Sequence, residues 1–118
     1  MHPFRKNRVA ELIREVISDI IRFKMKDPRV QGVTVTEVLM ARDLKSARVY
    51  FGSLADGKGE LHLKGLEAAE GFLRREIGRE LDLKYIPTLS FFYDTSFDNF
   101  ARIDGILKGL HETKDEDD

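Results

Sequence analysis

An α+β domain of two layers, a small sheet with helices on one face, is what the sequence predicts. Two observations carry it. Segments with apolar residues at helical spacing are interleaved with short runs rich in β-branched and aromatic residues, and their order is helix, strand, strand, helix, helix, strand, helix. There are also only three such strand-like runs, with the long helices lying between or beside them.

The first helix is read from "NRVAELIREVISDIIRFKMK", where Val9, Leu12, Ile13, Val16, Ile17 and Ile20 share one face and Arg8, Glu11, Glu15, Asp19 and Arg22 fall largely outside it. Pro28 in "DPRVQG" ends it, because proline cannot continue the hydrogen-bond ladder and pushes Asp27 toward extended geometry. "VTVTEVLMA" and "ARVYFGSL", joined by the polar "RDLKS", predict a β-hairpin. Glu37 breaks the alternation of the first strand and leaves its register open.

"ADGKGE" is a turn, and Glu60 to Leu81 reads as helical. "YIP" starts the third strand, "TLSFFY". A short last helix follows, with Ser96 or Asp98 as cap and Phe100, Ile103, Ile106, Leu107 and Leu110 as its apolar stripe.

A chain of 118 residues, 42% hydrophobic and 35% charged, is long enough to bury one core without disulfides or a structural metal. It has no cysteine, which removes thiol chemistry and cysteine-based zinc sites and is compatible with a reducing cytoplasm. The start "MHPFRKNR" lacks a signal-peptide core, and no run approaches the length needed to span a bilayer. A soluble cytoplasmic protein with no membrane partner is expected.

The formal net charge of −1 conceals an uneven distribution. The last eight residues, "HETKDEDD", hold five acidic groups and one lysine, so the body before them is net positive. Arg5, Lys6, Arg8, Arg14, Arg22, Lys24, Lys26 and Arg29 outnumber the acidic residues of the same segment two to one. A basic front and an acidic tail point to a polyanionic partner, against the plainer reading that these charges only solvate the surface. The tail, residues 111–118, has too little apolar content to fold and is expected to be disordered; residues 1–110 form the domain.

Catalytic and metal-binding patterns are not found. His2, His62 and His111 are far apart and lack metal-ligand or triad spacing. The serines Ser53, Ser90 and Ser96 have no nucleophile-elbow context, and no glycine-rich phosphate loop occurs. Asp94 and Asp98, four apart beside Ser96, fit capping better than a catalytic carboxylate pair. No enzyme activity, cofactor or metal is expected.

One anomaly remains. In "GLEAAEGFLRREIG" the apolar positions Leu66, Ala69, Leu73 and Ile77 define a helical face, whereas Gly71 and Gly78 fall on the opposite, charged side with Lys64 and Arg75. Core packing does not explain them at this level, and each interior glycine costs about 1 kcal/mol relative to alanine. A glycine there lets another backbone approach or lets the helix break in two. Both suit RNA, which KH domains grip at a tight turn between two helices of a small α+β fold. Their usual GxxG loop is missing, since no two glycines here are three apart.

"AEG" at Ala69 to Gly71, followed by "FLR", resembles the Ala-x-Gly kink that takes the place of that loop in the ribosome-binding factor A family of bacterial small-subunit maturation factors. "RVAELI", "KDPRV", "ARDLKSARVYF" and "IPTLSFFYDTS" resemble the family's segments in the right order, over roughly Arg5 to Leu110. The resemblance implies a single KH-like domain of type II, α-β-β-α-kink-α-β with a short C-terminal helix. It further implies a monomeric, non-catalytic factor that binds free 30S subunits and 16S rRNA. Late maturation and 16S 5′-end processing, importance in the cold, and release promoted by an assembly GTPase are implied in the same way.

By this resemblance Ala69 and Gly71 form the kink, and Arg74, Arg75 and Arg79 contact phosphates. Charge alone adds Arg5, Lys6, Arg8, Lys24, Lys26, Arg29 and Lys64 to the expected RNA-binding set. Glu70 departs from the expectation by placing a carboxylate inside the kink. For Gly71 two roles stand side by side, a purely structural kink and close approach of RNA. The reading from another class is a protein-interaction module whose basic surface takes an acidic protein.

Overall fold

Each of the first six expected elements forms in the computed structural model, which describes residues 3–53 and 57–96, with side chains from Asn7 onward. The elements are α1 (Pro3–Asp19), β1 (Val33–Met40), β2 (Ser46–Ser53), α2 (Gly59–Ala68), α3 (Glu70–Glu80) and β3 (Thr88–Tyr93). The last helix with its stripe, Asp98, and the tail all lie outside the described residues. Among the described residues no helix is long and apolar enough to cross a membrane.

α1 buries Val9, Ala10, Ile13 and Ile17, with Leu12 and Val16 only half-buried at the edge of the stripe. Its continuation is not a plain α-helix: Ile20–Lys24 form one π-helical turn, closed by the Met25 N–H on the Ile20 carbonyl at 3.0 Å. This widened turn buries both Ile20 and Ile21 before the chain leaves the helix. Asp27 then caps a short 3₁₀ turn, Pro28–Val30, by accepting the Arg29 N–H at 2.9 Å. Gly32, at φ +88°, supplies the left-handed residue that swings the chain into β1.

β1 and β2 pair antiparallel, and the irregularity expected near Glu37 is a β-bulge. Val35 faces Phe51 and Glu37 faces Tyr50, so Thr36 is the extra residue. Its hydroxyl turns to the Tyr50 carbonyl at 3.3 Å and to the Asp94 carboxylate. β3 adds parallel to β2, giving the order β1-β2-β3. "YIP" precedes this strand instead of starting it: Pro87 has no N–H to give a ladder, and pairing begins at Thr88.

The helices cover one face of this sheet. Ile13, Ile17, Val49, Phe51, Leu66, Leu73 and Ile77 are fully buried between the layers. Full burial of a Leu, Ile or Phe side chain is worth about 1.5–3 kcal/mol, so this layer contact is the main favourable contribution.

Candidate nucleic-acid interface

The helical stretch from Glu60 to Leu81, expected as two helices with a kink at Ala69–Gly71, breaks at Ala69, whose φ of −91° and ψ of 1° leave the helical region. Ala69 is half-buried, and Gly71 is exposed in the first turn of α3. A Cβ on Gly71 would meet only the Arg75 Nη1, at 3.7 Å. Nothing crowds this glycine, so its side-chain-free backbone opens to solvent beneath the Arg75 guanidinium.

The other glycines of the segment behave differently. A Cβ on Gly65 would lie 2.8 Å from the Arg29 Cβ and 3.0 Å from the Val30 Cγ1, so α2 approaches the 3₁₀ turn too closely for any side chain. Gly78 corrects the reading of the helical wheel. Although exposed, it lies under Ile86, whose Cδ1 would be 2.7 Å from an added Cβ, so packing does account for it.

Glu70 and Arg74, one turn apart on α3, both face the segment that enters β3. The Glu70 Oε2 accepts the Leu89 N–H at 2.7 Å. Arg74 donates from Nε to the Pro87 carbonyl and from Nη2 to the Ile86 carbonyl, each at 3.0 Å. The carboxylate inside the kink is therefore turned toward the sheet, and the Arg74 fork is engaged with backbone where a phosphate contact was expected.

The remaining cations fall into two groups. Arg8, Lys26, Lys64 and Arg75 are exposed; Arg5 and Lys6 lie on α1, with side chains outside the described set. Lys24, Arg29 and Arg79 have acidic partners. Glu76, buried on α3, accepts Lys24 at 3.1 Å and faces Arg79 at 3.6 Å, which ties the π-turn to α3 and brings two expected site residues together. Lys24 and Arg79 still keep 49% and 75% of their side chains exposed.

Arg29 is paired with Asp27 at 2.7 Å. The Arg29 side chain, and then its N–H, hold the Asp27 carboxyl below the ordinary aspartate range, and the same pairing raises the Arg29 guanidinium.

Beside the helix break runs a groove of ≈ 300 Å³ lined by Glu67, Glu70, Leu89, Ser90, Phe91 and Phe92. Its only charges are acidic. Acidic walls of this kind disfavour an anion inside the groove.

His62 had no role in the sequence reading and is a structural pivot. It is 1% exposed, with Nδ1 2.6 Å from the Arg29 carbonyl and Nε2 2.8 Å from the Ser53 hydroxyl. A carbonyl only accepts, so Nδ1 carries the proton. Its partners are 33 and 9 positions away, and no local signal could have marked it.

Comparison with known proteins places these features in a family. The model of the family described as ribosome-binding factor A matches residues 5–107. The Ribosome-binding factor A of Geobacter sulfurreducens is 42% identical over 115 residues, covering 97% of this chain and 98% of its own length. That of Syntrophobacter fumaroxidans is 39% identical over 113 residues, 93% and 97% of the two chains.

Among solved structures, ribosome-binding factor A from Thermus thermophilus superposes with a TM-score of 0.69 at 24% identity, covering 75% of this chain and 93% of the other. A model of the Thermus thermophilus factor fitted into a cryo-EM map of a 30S complex superposes with a TM-score of 0.63, at the same identity and coverage. The fold is the expected KH-like α+β fold, and this chain belongs to the ribosome-binding factor A family.

Proposed function

We propose that the protein is a non-catalytic assembly factor that binds the free 30S subunit as a monomer and contacts 16S rRNA. The observation that carries the reading is the open backbone at Gly71 beneath an exposed Arg75, with Lys64 and Arg79 on the same broken-helix unit and no crowding neighbour. Cations around an uncovered backbone turn suit a sugar-phosphate chain. Family membership supports it, as does the fitting of the Thermus thermophilus factor into a 30S complex.

The same reading extends to Arg5, Lys6, Arg8, Lys24, Lys26 and Arg29 as longer-range phosphate partners. It assigns Arg74 to the scaffold. The biological role follows the family: late 30S maturation and 16S 5′-end processing, greatest need in the cold, and release by an assembly GTPase in the cytoplasm.

Co-sedimentation through sucrose gradients with free 30S, free 50S and joined ribosomes tests the proposal. Selective migration with free 30S is expected, with affinity falling steeply with salt at about −0.7 to −0.9 per phosphate on a log–log slope. Equal association with all three, or none, overturns it and leaves a basic module for an acidic protein.

A further inference from the structure

We propose that the face of the sheet on which no described helix packs, centred on Tyr50 and Phe92, is a stacking platform for unpaired bases of single-stranded RNA. This rests on the RNA-binding reading above but uses a different surface. The pleat sends Val49, Phe51, Leu89 and Phe91 into the core and leaves Arg48, Ser90 and Phe92 exposed, with Tyr50 half-buried, on the other face.

Register organises that outer face into rows. Glu37 pairs with Tyr50 and Tyr50 with Phe92; Leu39 pairs with Arg48 and Arg48 with Ser90. The Tyr50 and Phe92 rings lie 5.5 Å apart at a tilt of 31°, and Phe92 is 42% exposed. Together they form one aromatic surface across the central and edge strands.

A cross-strand aromatic pair stabilises a sheet by about 0.2–1 kcal/mol, and that accounts for the ring contact. It does not account for the surroundings. An apolar protein partner calls for a continuous hydrophobic patch, whereas Tyr50, Phe92 and Leu39 are interrupted by Arg48, Glu37 and Ser90. Flat rings in a polar frame match nucleobases: the rings stack on π-faces, Arg48 meets a phosphate, and the Glu37 carboxylate accepts from base N–H groups.

The platform is also continuous with the helical surface. Ser90 and Phe92 line the groove that reaches Glu67 and Glu70 at the helix break. An RNA strand anchored at Arg75 therefore crosses the β3 edge to reach Tyr50. The acidic groove favours bases over phosphates along that crossing.

The test uses the full chain and a fluorescein-labelled single-stranded RNA of about ten nucleotides without self-complementarity, the same strand in a duplex, and free 30S subunits. Phe92→Ala and Phe92→Leu should each weaken single-strand binding about tenfold and leave duplex binding unchanged, while Phe92→Tyr retains it. Phe92→Leu keeps apolar bulk, so its loss reads the ring itself; circular dichroism verifies the fold.

Unchanged single-strand binding by Phe92→Leu, with Arg75→Glu weakened, overturns the platform and leaves the RNA reading intact. No single-strand binding by the unmodified protein, with 30S binding retained, also overturns it. So does loss of 30S binding by Phe92→Leu without loss of RNA binding, which would make the face a protein contact. Failure to bind RNA or 30S at all defeats both readings.

Discussion

The Glu70 carboxylate accepts the Leu89 N–H at 2.7 Å, so the residue inside the helix break holds the free edge of β3. One turn later Arg74 holds the carbonyls of Ile86 and Pro87. The first two turns of α3 thus carry an acceptor and a donor for backbone groups of the same segment. Removing the acceptor orphans one N–H at a partly exposed edge. Glu70→Ala should cost about 1 kcal/mol and speed hydrogen exchange at the Leu89 amide, and Glu70→Gln, which keeps an oxygen, should cost less. Thermal unfolding and amide exchange by NMR measure the two effects.

Adjacent arginines should behave in opposite ways. Arg74→Ala removes two backbone hydrogen bonds and should lower the melting temperature; lysine in its place cannot reproduce the fork and should recover little. Arg75→Glu should leave the stability within about 0.5 kcal/mol of wild type and weaken co-sedimentation with free 30S. A stable Arg75→Glu protein that sediments like wild type would remove this helix from the interface.

Gly65 and Gly71 separate packing from openness. Gly65→Ala forces a methyl group against Arg29 and Val30 and should destabilise the fold by about 1–3 kcal/mol. Gly71→Ala meets only the end of the Arg75 side chain, at van der Waals distance, and should be neutral or stabilising by up to about 1 kcal/mol. If the second variant then binds 30S less well, RNA uses the bare backbone; chemical denaturation beside the binding assay gives both numbers.

His62→Ala leaves the Arg29 carbonyl and the Ser53 hydroxyl without the imidazole and opens a buried cavity. A loss of about 2–4 kcal/mol in urea denaturation is expected. His62→Gln, able to keep one of the two bonds, should recover part of it.

Acid stability should carry the signature of Asp27. Its carboxyl is depressed by the Arg29 side chain first and the Arg29 N–H second, and Glu11 is depressed by Arg14 in the same direction. Each folded carboxyl protonates at lower pH than in the unfolded chain. The stability they add is present above the unfolded value and lost as pH falls through the folded one. Asp27→Asn should therefore be less stable than wild type near neutrality, with the gap closing below about pH 4 in a pH series of thermal melts.

Local patterns were legible in the sequence, and long-range partners were not. β-branched runs marked both hairpin strands and Glu37 marked the bulge, whereas the first helix stops at Lys24, before Pro28, which instead opens the 3₁₀ turn. Gly71 was conspicuous because nothing on its own wheel explained it. Gly65 and Gly78 were explained only by Arg29, Val30 and Ile86 from other segments. Arg74 and Arg75 look alike in sequence, and only the carbonyls of Ile86 and Pro87 divide them. A charged residue's role depends on which backbone passes it, and that is a property of the assembled layers.

The parallel pairing of β3 with β2 also sets an order of assembly. The β1–β2 hairpin closes through a short loop, but Thr88 reaches its partner Lys45 from 43 positions away, across the whole broken-helix crossover. Loop-closure entropy makes such a contact slow to form until the intervening chain has condensed. The third strand is expected to dock after the hairpin has closed, and the groove and the Tyr50–Phe92 pair exist only after it has. The proposed platform therefore depends on β3 being docked, whereas the Gly71–Arg75 surface lies on the helices, so a chain with β3 undocked is expected to lose the former and keep the latter.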